Sequence, residues 1–75
     1  PMKAKLIVNP VSGADLAPDF LTLMNERLRE RYGTVDIALT VGPDDAVEIA
    51  RAATLNGYDH IFAAGGDGTL NEVVN

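Results

Sequence analysis

Eight residues late in the chain, Gly65-Gly66-Asp67-Gly68-Thr69-Leu70-Asn71-Glu72, have the types and spacing to hold a phosphorylated ligand. The three glycines remove the side chains that would keep a backbone away from an anion. A turn of this kind between a strand and a helix aims unpaired N–H groups at the ligand, and the positive end of the helix dipole favours negative charge there. Asp67 is unusual inside such a loop, because a carboxylate repels a bare phosphate. It fits if a cation stands between the two, if it binds a hydroxyl, or if it orders the loop's own amides. Mg²⁺ suits the first arrangement, as a hard cation that takes oxygen ligands and bridges phosphates. Thr69 can cap the helix or donate to a phosphate, and Asn71 and Glu72 follow in the first turn. The pattern is not G-x-x-x-x-G-K-[ST]. It is not the dinucleotide fingerprint either, since Asn71 stands where a third glycine is required.

A loop can act only where elements hold it. Ile61-Phe62-Ala63-Ala64 is an apolar run that reads as a buried strand leading into the glycines, and Leu70, Val73 and Val74 read as the start of a helix leaving them. An earlier strand ends in Leu6-Ile7-Val8 and is closed by Asn9-Pro10-Val11-Ser12-Gly13, where Pro10 extends Asn9 and Gly13 frees the backbone for a sharp turn. A helix follows from Pro18, which suits a first-turn position, to a stop at Gly33. Its apolar face is Phe20, Leu23 or Met24, Leu28 and Tyr32. Arg27, Arg29, Glu30 and Arg31 fall largely on the other side, as a solvated face. Thr34 to Thr40 alternates as a second, less buried strand. Asp44 or Asp45 then caps a second helix, with Glu48 placed to reach back. Its narrow stripe of Ala46, Ile49, Ala50 and Ala53 lets it lie close to a sheet, and Asn56-Gly57 ends it. His60 is a lone histidine at the start of the third strand and reads as a surface or packed residue.

The order strand, helix, strand, helix, strand, start of helix predicts an α/β fold. It is a three-layer, Rossmann-like parallel sheet of strand order 2-1-3 with right-handed crossovers. All strands of such a sheet end on one side, so the loops at 9–13, 40–43 and 65–69 share one rim. Ligands bind there, where the strand order reverses.

Composition narrows the classes further. With 75 residues the chain makes at most one small domain, 1–75. A net charge of −5 argues against nucleic acid as a partner, because neutralising backbone phosphates needs a basic surface. The absence of cysteine excludes disulfides and thiolate metal sites, and fits a cytoplasmic location. The segment after Thr69 has no helix-stop signal before Asn75, so the sequence reads as truncated, a fragment of a longer protein. Both edges of a three-stranded sheet would be bare. Self-association of the chain is therefore an expectation, with later strands expected to complete the sheet.

The glycine loop is similar to the G-G-D-G-T-x-N-E signature of the diacylglycerol kinase catalytic-domain family, which includes bacterial lipid kinases and the sphingosine and ceramide kinases. Asn9-Pro10-Val11-Ser12-Gly13 resembles that family's N-P-x-S-G element after the first strand. The resemblance runs over essentially the whole chain. It implies transfer of a phosphate from ATP, with Mg²⁺, to a lipid hydroxyl. The positions that match the family's nucleotide contacts are Asn9, Pro10, Val11, Ser12, Gly13, Thr40, Gly65, Gly66, Asp67, Gly68, Thr69, Leu70, Asn71 and Glu72, with Asp67 the candidate for positioning the magnesium nucleotide. It also implies that the catalytic base and further metal ligands lie in a second, β-rich domain absent from this sequence. The lipid acceptor and any peripheral membrane contact would come through that domain, and the chain by itself is expected to be inactive. Two other readings use the same residues. A relative of the NAD kinases shares G-G-D-G but not the N-P-x-S-G loop, and a non-catalytic nucleotide-binding or regulatory module would keep the fold without the base.

Overall fold

β1 (Lys3–Val8) is the central strand of the sheet. A computed structural model of the chain describes residues 2–10, 18–42, 44–64 and 70–73. β1 is followed by α1 (Pro18–Tyr32), β2 (Thr34–Leu39), α2 (Asp45–Leu55), β3 (His60–Ala64) and β4 (Leu70–Glu72). The strand order is β2-β1-β3-β4. β1 runs parallel to both β2 and β3, as the alternation of elements in the sequence predicts.

The two helices cover opposite faces, which explains why the C-terminal half of β1 is apolar on both sides. Ala4, Leu6 and Val8 point to one face. There they join Val35, Phe62 and Ala64 beneath Met24 and Leu28 of α1. Ile7 points to the other face and packs with Ile61 and with Ala53 of α2, flanked by Ala46, Ile49 and Ala50. Of the two α1 residues that could face the sheet, Met24 is buried and Leu23 is exposed. Both helices stop where expected: Gly33 and Gly57 adopt φ of +90° and +84°, a region that other residues rarely enter. Within β2, Val35 is buried while Ile37 and Leu39 are exposed, because this strand lies at an edge with no partner beyond it among the described residues.

The structure corrects one element. Leu70–Glu72 is not the first turn of a helix but a short strand, antiparallel to β3. The physical reason lies in where the apolar residues go. Leu70 packs into the cluster beneath α1, whereas Val73 packs into the cluster beneath α2. Residues three apart share a face of a helix but fall on opposite faces of a sheet. Only extended chain buries both. Pairing also fills the outer edge of β3, with the Val73 N–H donating to the Ile61 carbonyl at 2.7 Å. The edge of β3 expected to be bare is thereby covered, and among the described residues the open edges are those of β2 and the short β4.

No helix among the described residues is long and apolar enough to cross a membrane.

Candidate functional site

The C-terminal ends of β1, β2 and β3 stand in one row, because Val8 is in register with Leu39 on one side and with Ala64 on the other. The segments that follow them therefore leave from a single rim. Asn9 and Pro10 emerge there, exposed. Val11, Ser12, Gly13 and the five residues Gly65, Gly66, Asp67, Gly68 and Thr69 lie outside the described residues. Their anchors do not. Ala64 and Leu70, which flank the glycine segment, are a cross-strand pair, so both of its ends are fixed at the rim, with Ala64 beside Val8.

Thr40 closes β2 and is buried. Its N–H donates to the Val8 carbonyl at 2.8 Å and its hydroxyl approaches the same oxygen at 3.5 Å. Thr40 thus ties the end of β2 to the end of β1 and sets the spacing of the two loops.

The next loop is fixed by a carboxylate. Asp45 Oδ2 accepts the N–H groups of Val41 at 2.6 Å and Gly42 at 2.8 Å. Asp44 occupies the N-cap position, but its side chain makes no cap bond. Glu48 pairs outward with Arg51 at 3.1 Å rather than reaching back. The capping role expected of these acids is therefore replaced by a tie from α2 to the rim. The Val41 N–H, then that of Gly42, hold the Asp45 carboxyl below its ordinary range against a smaller opposing effect of desolvation. A lowered carboxylate pKa means that the tie contributes fully above the unfolded-state value and is lost as pH falls through the folded-state one. Asp45→Asn should lower the urea midpoint slightly near neutral pH, and the difference from the parent should shrink and then vanish as pH falls through the lowered Asp45 value. Equal midpoints at neutral pH would show that the tie adds nothing.

β4 leads away from the rim. Asn71 lies opposite Ala63 and is exposed, and Glu72 lies opposite Phe62, set back about 7 Å at the rise of a strand. Glu72 Oε2 is 2.7 Å from His60 Nδ1, and the His60 ring lies tilted against Tyr32 with centroids 4.4 Å apart. His60 is thus a packed histidine with a carboxylate partner, an arrangement hidden from a sequence that places Glu72 on a helix. Among the described residues the rim brings together Asn9, Pro10 and Thr40, with Leu70 adjoining it, and it does not gather Asn71 and Glu72. Nor do the described residues hold a group of three or more His, Cys, Asp or Glu able to take a metal ion.

A second cluster, at the opposite end of the strands, has no part in this rim. The ammonium groups of Lys3 and Lys5 sit 4.2 Å and 4.8 Å from the Tyr58 ring centroid, and the Tyr58 hydroxyl donates to Asp36 Oδ2 at 2.5 Å. That hydrogen bond, then desolvation and the Asp36 charge, raise the phenol above its ordinary value. The period-two spacing of Lys3 and Lys5 is visible in the sequence as a shared face. Their aromatic partner is not.

The family model of the diacylglycerol kinase catalytic domain matches residues 3–75. The chain belongs to this family. Its relatives include a putative lipid kinase of Streptococcus pneumoniae serotype 4, 36% identical over 97% of this chain and 25% of that protein. A diacylglycerol kinase of Bacillus subtilis is 37% identical over 97% of the chain and 24% of its own length. One of Staphylococcus haemolyticus is 46% identical over 96% of the chain and 22% of its own length. The chain thus spans about a quarter of the curated relatives it matches. Within a diacylglycerol kinase catalytic domain, the described residues supply a mostly parallel sheet with its loop anchors on one rim.

Proposed function

We propose that this chain is the nucleotide-binding part of a lipid kinase that moves the γ-phosphate of ATP to a diacylglycerol-like hydroxyl. The observation that carries the reading is the register of Val8 with Ala64, which sets the exits of the two family motifs side by side. In the proposed complex, Asn9 to Gly13 and Gly65 to Thr69 close on the triphosphate from two sides. Thr40 spaces the loops, and Asp67 orients a magnesium ion on the nucleotide. Glycine backbone at both loops would stabilise the charge of the transferring phosphoryl group by amides already in position, which is how such transfer is mainly accelerated. Leu70, Asn71 and Glu72 match the rest of the motif. For Glu72 to serve the ligand it would have to leave His60. The acceptor, the base that takes its proton and any contact with a membrane surface belong to the remainder of the protein.

The test is an acceptor screen on the full-length protein with labelled ATP and Mg²⁺. Labelled phosphatidate from diacylglycerol is expected, and the 75-residue chain alone should transfer nothing. Label appearing on NAD would move the protein to the NAD kinases. ATP binding with no acceptor phosphorylated would make it a non-catalytic module.

A further inference from the structure

On the face of the sheet beneath α1, a groove of about 440 Å³ opens between the helix and β3–β4. Its volume lies within the range of small-molecule sites. Met24, Leu28 and Phe62 form a nearly closed floor, and Phe20, Tyr32 and Leu70 are half-buried walls. Two cations stand at its border, Arg27 and Arg31, one helical turn apart on α1 and both exposed. Neither makes an ion pair among the described residues, where the ion pairs are Glu48–Arg51 and His60–Glu72. Arg31 has the Tyr32 ring 5.7 Å away. Among the described residues no acidic side chain lines the groove. The solvated face expected of these arginines is therefore, for these two, the rim of an apolar trough.

We propose that this groove binds a single-chain amphiphile with a phosphate headgroup, its acyl chain lying on Met24, Leu28 and Phe62 and its headgroup held by Arg27 and Arg31. An apolar floor alone would accept any greasy segment. Two guanidinium groups at spacing i, i+4 present ten N–H donors to one edge of it, and planar donor forks of this kind suit phosphate oxygens. The rest of the protein is the rival occupant, since the relatives are far longer than this chain. To bury the arginines as well as the apolar floor, it would have to bring its own acid to meet them. The groove lies beneath α1 rather than at the nucleotide rim, so the inference stands whether or not phosphoryl transfer is found.

The test uses the full-length protein and 1-oleoyl lysophosphatidate below its micelle concentration, in a form carrying a photoreactive acyl chain. Saturable binding with one-to-one stoichiometry is expected, with cross-links to the peptide containing Phe20 to Tyr32. Monoolein, which has the same chain and no charge, should bind at least about tenfold more weakly, and so should lysophosphatidate to R27Q/R31Q. The melting temperature and kinase activity of that variant should be unchanged, which separates loss of the site from loss of the fold. Cross-links confined to another segment would mean that the protein's own chain fills the groove and would overturn the proposal. So would equal affinity for the charged and neutral lipids. Inorganic phosphate alone should not compete at similar concentration, and full competition would reduce the site to two surface arginines.

Discussion

Gly68→Val in the full-length protein is expected to lower phosphoryl transfer at least about a hundredfold, the scale of losing one preorganised backbone donor. The ordered core should survive. Gly68 follows Asp67 in a segment whose two anchors, Ala64 and Leu70, are paired directly across β3 and β4. A substitution between them need not disturb the strands. What it does disturb is access. Valine is stiff at χ1 and disfavours positive φ, and its methyl groups would occupy the space in which backbone amides meet a phosphate. The loss should appear as weaker ATP binding by calorimetry and as a fall in kcat/KM for ATP, with the melting temperature held. A variant that binds and turns over ATP like the parent would remove the glycine segment from the site, and the nucleotide would have to be sought elsewhere.

Leu6→Ala should be the most damaging single truncation in the sheet. Leu6 has no exposed surface and lies mid-strand in β1, between Ile37 and Phe62 in register and beneath Met24 and Leu28. Deleting a fully buried leucine side chain costs about 2–5 kcal/mol, through lost transfer energy and the cavity left behind. A core of this size rarely supplies more than about 3–5 kcal/mol in total. The substituted 75-residue chain should therefore be largely unfolded at room temperature, by circular dichroism and by loss of a cooperative urea transition. Leu55→Ala is the matching control. Leu55 is 80% exposed at the end of α2, and its truncation should shift stability by no more than about 0.5 kcal/mol. Similar losses from the two would mean that Leu6 is not in a packed core.

Most of the scaffold was written locally. Gly33 and Gly57 end their helices where the sequence says, and the alanine stripe of α2 meets the sheet as its spacing demands. The alternation of strands and helices sufficed for the 2-1-3 order at the centre. Leu70 to Val73 reads as a helix start in the sequence because a run of four residues carries almost no periodicity. The choice between strand and helix there is made by two pre-existing clusters on opposite sides of β3, which no local rule contains. Asp45 shows a similar limit. Its place near a helix start suggests a cap, but the donors it finds are those of Val41 and Gly42 behind it, because the loop turns back over the helix. At the candidate site, the motifs name the residues and the register supplies their neighbourhood. The partnership of Glu72 with His60 could be known only once β4 was seen to pair with β3.

β1, an inner strand of the sheet, precedes both of its neighbours in the chain. Its far neighbours arrive late: the Lys3 N–H meets the Asp59 carboxylate across 56 positions, and Val8 receives Thr40 across 32. During synthesis on the ribosome, Leu6, Ile7 and Val8 must emerge and wait without a partner until both flanking strands have been translated. Such distant pairings are slow to close and leave sticky chain exposed meanwhile. This part of the protein should therefore lean on chaperones during its synthesis more than its length suggests.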